Sequence, residues 1–262
     1  MVTITVLLIL SGILVGFINT LSAGGTTVSI ALYLAMGIPP QATNAINRVG
    51  VLFQNGFASL VFYRKHAVNY KHVLLYALPV MIGAFIGSMT AVKIDEKVFN
   101  ICFAAVLLIM IVFLCTDRKT DSRQERPFTL QNYFKSFFLF MAAGFYGGFV
   151  QAGTGFLLIA VIGSWWGYDL VKTTAAKNTV MFCYTVVAMA VFLLRGGVEL
   201  RYWLYALIHS AGNVIGSYIA TRYALKKGNK FVKIIIICVI IMTALNLLGI
   251  LDFKIFFKKF IN

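Results

Sequence analysis

Arg48 and Lys177 are the residues whose type and placement most constrain the chemistry. Each lies several residues inside an apolar stretch. All eight acidic residues (Asp95, Glu96, Asp117, Asp121, Glu125, Asp169, Glu199 and Asp252) lie in loops or at segment ends. A charge at the centre of a membrane helix costs from ~2.5 kcal/mol upwards, so it usually faces a cavity or a partner. Facing a cavity with no acidic neighbour, the two cations would present positive charge to an anion. The competing reading places both at the membrane interface, where long side chains snorkel to water.

Two glycine breaks are the second signal. Ser22-Ala23-Gly24-Gly25-Thr26 precedes a short apolar stretch over 26–36, and Ala152-Gly153-Thr154-Gly155 precedes another over 156–166. A helix that starts after a break offers N–H groups without intrahelical partners, and its dipole favours an anion. Ser22, Thr26, Thr27 and Thr154 add hydroxyls, and Asn19 and Gln151 occupy matched positions just before the breaks. The expected anion-binding set is Asn19, Ser22, Gly24, Gly25, Thr26, Asn47, Arg48, Gln151, Gly153, Thr154, Gly155, Lys177 and Asn178. Glycines also serve close helix packing, and Gly12, Gly16, Gly144 and Gly148 are open to that reading. Gln54, Asn55 and Tyr184 are candidates to line a path. His209 reads as a packed, hydrogen-bonded residue, His66 and His72 as loop residues, and Trp165 and Trp166 as an interfacial aromatic belt.

The elements that position these residues are membrane helices. The chain has 262 residues, 60% of them hydrophobic and 12% charged, against about a quarter charged in soluble domains. No Asp, Glu, Lys or Arg occurs over 2–47, and charge-free runs recur over 49–63, 73–92, 98–116, 136–168, 178–194, 202–221 and 234–251. A bilayer core takes about 20 apolar residues per helix. The fold class is therefore all-α integral membrane protein, multi-pass, in a cytoplasmic membrane. The N-terminal run has no basic n-region and reads as a retained segment. The net charge of +15 sits in the short connections, where basic residues orient membrane proteins, and no motif points to nucleic acid. Cys102, Cys115, Cys183 and Cys238 are scattered without metal-ligand spacing. No cofactor is expected.

Internal matches divide the chain into two homologous repeats. Gly12-x-x-x-Gly16-Phe17-Ile18-Asn19 matches Gly144-x-x-x-Gly148-Phe149-Val150-Gln151. Thr43-x-x-x-Asn47-Arg48 matches Thr173-x-x-x-Lys177-Asn178, and Gly83-x-x-x-Gly87-Ser88 matches Gly212-x-x-x-Gly216-Ser217. The expected units are 1–115 and 134–262, joined by a polar linker over 116–133. Each unit reads as a broken-helix hairpin followed by three helices, near 42–63, 73–92 and 98–115, then 172–194, 202–221 and 231–251. As one helix, residues 2–36 would span about 52 Å against a hydrocarbon core of roughly 30 Å, so a break and return fits better. Each unit then crosses an odd number of times and the two are inverted. Loop charges agree: 64–72 is basic and 93–97 neutral in the first unit, whereas 195–201 nets +1 and 222–230 holds four basic residues in the second. Basic loops face the cytoplasm, which puts both termini outside; Lys254, Lys258 and Lys259 in the tail argue the other way.

Taken together, these motifs resemble the sulfite exporter TauE/SafE family. The resemblance rests on Gly16-Phe17-Ile18-Asn19, the Gly24-Gly25 break, Ile38-Pro39-Pro40, Thr43-Asn44-Ala45-Ile46-Asn47-Arg48, the run from Gly147 to Gly155, and Ala176-Lys177-Asn178, and it covers roughly 5–250. It implies a permease for a small anion such as sulfite, sulfoacetate or a related organosulfonate. Inverted repeats with broken helices place such a site near the midplane. A membrane-embedded enzyme would need a nucleophile–base pair or metal ligands, and the chain holds no HExxH, GxSxG or paired acids. A non-transporting scaffold that binds partner helices through its glycine faces is the alternative function.

Overall fold

The computed structural model describes residues 2–22, 25–95, 97–105, 125–126, 129–195, 197–223, 241 and 245. Helix α1 (Val2–Ser22) is followed by the short α2 (Gly25–Ala35), then α3 (Pro40–Arg64) and α4 (Tyr70–Lys93). A helical stretch over 97–105 is α5. The same order returns in α6 (Leu130–Phe149), the short α7 (Thr154–Trp166), α8 (Leu170–Arg195) and α9 (Leu200–Tyr223). The helices expected near 42–63, 73–92, 172–194 and 202–221 are thus present, as are both short ones. The expected helix near 231–251 lies outside the described residues except for positions 241 and 245, as does most of 98–115. Helix α6 begins at Leu130, with Thr129 accepting from the Asn132 N–H, so helix takes up the end of the stretch read as linker.

Among the described residues, three helices are long and apolar enough to cross a membrane: Thr3–Thr20, Tyr70–Lys93 and Val171–Arg195. The long α3 and α9 fall short on composition because they bury polar groups, including Asn44, Asn47, Arg48, Gln54 and Asn55 on α3, and His209, Asn213 and Ser217 on α9. Large apolar side chains such as Leu10, Phe53, Leu78, Phe85, Phe138 and Leu204 face outward instead. A bilayer solvates that surface, whereas water would not.

Packing joins the two halves of the chain reciprocally. Helix α1 runs along α9, α4 runs along α6, and α3 meets α8. Both long seams are made by glycines. A β-carbon on Gly12 or Gly16 would overlap the backbone carbonyls of His209 or Asn213, and one on Gly212 or Gly216 those of Ile9 or Ile13. On the other seam, Gly83 and Gly87 abut the carbonyls of Met141 and Phe145, and Gly144 and Gly148 those of Val80 and Ala84. Small residues let membrane helices approach until their backbones touch. The four GxxxG motifs therefore meet in two pairs, and the outer glycines are packing residues.

Local structure at the two short helices also matches. Gly37 (φ 79°) ends the turn after α2 and Gly167 (φ 70°) caps α7, both left-handed. Beyond these turns, Thr43 donates its hydroxyl to the Ile38 carbonyl at 3.3 Å and Thr173 to the Tyr168 carbonyl at 3.1 Å. The interfacial belt expected of Trp165 and Trp166 is corrected for Trp166. Trp166 is buried against Tyr76, Phe140 and Tyr168, with ring centroids 4.7, 5.5 and 5.2 Å away. Trp165 lies under the Arg126 guanidinium. Apolar burial between α4 and α6 outweighs the interfacial preference of an indole there.

Candidate functional site

The polar residues singled out by the sequence gather where α3 and α8 face the ends of α6 and α1. Arg48 is 0% exposed and Lys177 1%, so neither snorkels. Arg48 crosses from α3 to the last turn of α6 and donates to the carbonyls of Gly147 at 3.1 Å and Gly148 at 2.6 Å. Its guanidinium also lies 4.6 Å from the Phe192 ring centroid. Asn44, one turn before Arg48, donates to the Phe149 carbonyl at 2.8 Å. In the other direction, Lys177 on α8 donates to the Asn19 carbonyl in the last turn of α1 at 3.3 Å. Each cation thus reaches the end of a broken helix in the opposite half.

The partners of both cations differ from the sequence expectation. The terminal carbonyls of a helix lack intrahelical donors and carry partial negative charge. Beyond Phe149 the chain leaves the helix: Gln151 and Gly153 adopt φ of 63° and 72°. The carbonyls of Gly147, Gly148 and Phe149 thereby lose the N–H groups four residues on. Arg48 and Asn44 replace them. Helix ends were not considered as partners from sequence, because the approach of α3 to α6 is tertiary. Among the described residues the ion pairs are Lys172–Glu125 and Arg201–Glu199, both on the surface, and neither involves a buried cation.

Around these anchors lie carboxamides and hydroxyls that the fold buries without satisfying. Among the described residues, both side-chain polar atoms of Asn19, Gln151 and Asn178 lack hydrogen-bond partners, as do the Asn47 Nδ2, the Thr26 hydroxyl and the Arg48 Nε. Buried polar groups are nearly always hydrogen-bonded to protein or water, so these atoms have donors and acceptors to offer water or a polar ligand. Thr154 departs from its expected role as a free donor: its hydroxyl donates to the Gln151 carbonyl at 2.8 Å. Tyr146, not anticipated from sequence, donates to the Ala152 carbonyl at 2.7 Å and fixes the same break. Gly153, left-handed, caps α7, and Gly155 is buried in its first turn. Gly25 opens α2 against the Asn19 side chain. Ser22 ends α1, while Gly24 lies outside the described residues.

Other candidates are placed as follows. Gln54 is buried with both side-chain polar atoms unpaired among the described residues, and Asn55 donates to the Val51 carbonyl at 2.8 Å. Tyr184 is fully buried beside Gly147. His209 is packed as expected, its Nδ1 2.8 Å from the Asn213 Nδ2 and its ring 5.4 Å from that of Tyr33. Asn44 and Phe192, like Tyr146, are residues the sequence left out of the site. Asn44 was detectable as the residue four before Arg48, on the same helix face; nothing local marks Phe192.

The family described as "Sulfite exporter TauE/SafE" matches residues 8–247. Among curated proteins, the chain is 30% identical over 243 residues to a probable membrane transporter protein, ORF9, of a Sinorhizobium species, covering 92% of this chain and 91% of that one. It is 27% identical to a probable membrane transporter protein of Haemophilus influenzae, covering 89% and 90%. It is 24% identical to the probable membrane transporter protein YfcA of Escherichia coli K12, covering 90% and 86%. No solved structure matches.

Proposed function

The chain belongs to the sulfite exporter TauE/SafE family and is a membrane transporter, and from that premise we propose that its cargo is a small anion: sulfite, sulfoacetate or a related organosulfonate. The observation that carries this reading is the full burial of Arg48 and Lys177 without a carboxylate partner among the described residues. Helix-end carbonyls offset part of that charge. The carboxamides of Asn19, Gln151 and Asn178, unpaired beside them, have N–H donors to offer an oxyanion. Asn47, Thr26, Gly25, Gly153 and Gly155 complete the proposed site, with Ser22 and Gly24 at the first break and Thr154, bound to the Gln151 carbonyl, shaping the second.

Transport proceeds by alternating access, one unit moving against the other. The units are residues 1–115 and 134–262, inverted in the cytoplasmic membrane. The reversed charge bias of matched loops and the reciprocal packing of α1 on α9 and α4 on α6 support this reading. Breaks at the ends of α1 and α6 then lie at the interface that must rearrange. An inside-negative potential drives anion efflux with about 2.3 kcal/mol per charge per 100 mV, so export needs no second gradient.

The test is tracer flux of sulfite and sulfoacetate in proteoliposomes under an imposed potential, for the wild type and for Arg48→Ala and Lys177→Ala. Electrogenic flux in the wild type, lost in both variants with folding intact, is the expected result. Flux indifferent to both substitutions would contradict a site built on these cations.

A further inference from the structure

We infer that the two buried cations divide the labour: Lys177 meets the anion, while Arg48 is a positioning residue that holds the end of α6. This rests on the proposed anion reading and adds which residue binds.

The fork of the Arg48 guanidinium is committed. Nη1 and Nη2 bind the Gly147 and Gly148 carbonyls and Phe192 lies against the group, while Nε has no partner among the described residues. With Asn44 on the Phe149 carbonyl, three consecutive carbonyls of α6 are capped from α3. The fixed fork of a guanidinium suits that task, because it donates to two acceptors at once. Its positive charge meets the partial negative charge of the helix end.

Lys177 is not committed in this way. Its ammonium has three donors and one acceptor among the described residues, the Asn19 carbonyl at 3.3 Å. The Asn19 side chain, on the residue that supplies this carbonyl, is buried with oxygen and nitrogen both unpaired among the described residues. The ammonium and the Asn19 carboxamide N–H groups would give a sulfite or sulfonate oxyanion its donors.

The register of the two helices separates the cations as well. Thr43 and Thr173 make the same bond at the start of α3 and α8. Counted from them, Arg48 is the fifth residue on and Lys177 the fourth, and Asn178 stands where Arg48 does. Neighbouring helix positions point about 100° apart. In place of the double clasp on α6, the end of α1 therefore receives a single bond from Lys177, which leaves its helix in a different direction.

Initial-rate kinetics in proteoliposomes test the division with sulfite and sulfoacetate as probes. Lys177→Met should raise KM about 10- to 100-fold, the loss of one charge-assisted bond, and Lys177→Arg should recover part of it. Arg48→Gln should lower kcat while KM stays within about twofold, with Arg48→Lys restoring some turnover. Equal rises in KM for Arg48→Gln and Lys177→Met, or no rise for Lys177→Met, would overturn the proposal. Thermal unfolding without anion gives a second, independent reading: Arg48→Gln should lower the melting temperature by several degrees and Lys177→Met should leave it unchanged or raise it. Equal lowering would overturn the division. If the wild type carries neither anion, the anion reading fails, and the melting series still decides whether Arg48 holds α6.

Discussion

Gly83 of α4 and Met141 of α6 approach so closely that a β-carbon on the glycine would overlap the methionine carbonyl oxygen. The same holds for Gly12 and His209 on the opposite seam. Since backbone rather than a side-chain tip blocks the space, relief requires the helices to separate. Gly83→Ala and Gly12→Ala should each destabilise the protein by about 1–3 kcal/mol, read as lowered melting temperatures in detergent. Gly197→Ala is the contrast. Among the described residues nothing stands within 4 Å of a β-carbon there, and its φ of 57° opposes the change, so its cost should be about 1 kcal/mol.

A second prediction concerns the His209–Asn213 pair. Asn213 donates from Nδ2 to its own helix at the His209 carbonyl, 3.1 Å away, and the same nitrogen lies 2.8 Å from the imidazole Nδ1. Asn213→Ala leaves that buried ring nitrogen without its partner and should cost about 1–3 kcal/mol. The matched positions on α4 hold Val80 and Ala84. Combining His209→Val with Asn213→Ala removes both polar partners and should be less destabilising than Asn213→Ala alone. Thermal unfolding of the cycle checks this; a double variant as unstable as the sum of the singles would contradict it.

Inversion of the units is tested by accessibility. With the native cysteines replaced, Val68→Cys and Lys226→Cys should both react with a membrane-impermeant thiol reagent from the cytoplasmic side. Basic loops are retained on that side, and both 64–72 and 222–230 are basic. Labelling from opposite sides would mean that the units are parallel.

Much of the architecture was legible because membrane helices announce themselves by composition. The long charge-free runs gave α4 and α8 within a few residues, and the paired glycines gave both breaks. Helix α3 was bounded as closely, near 42–63 against Pro40–Arg64, but its buried face carries Asn44, Asn47, Arg48, Gln54 and Asn55 and its apolar residues alone do not mark its depth. The matched GxxxG motifs were visible, but not that each contacts the other half. That follows from the crossing of α1 with α9 and of α4 with α6, which no local pattern encodes. The same limit hid the partners of Arg48. A sequence shows side-chain charges but not carbonyls freed by a break one hundred residues away, so the guanidinium looked as though only an anion could meet it. Trp166 misled for a related reason: an indole next to a turn fits the interface, until Tyr76 and Phe140 from other helices enclose it.

Binding of a small anion at a buried cationic site between the two breaks is what the proposed function requires of this protein. Calorimetric titration of the purified wild type and of Lys177→Met with sulfite and with sulfoacetate measures that binding. The wild type should bind a single anion per chain saturably, and Lys177→Met should bind it about 10- to 100-fold more weakly. Absence of saturable binding of either anion to folded wild type, or equal affinity in the two proteins, would contradict it.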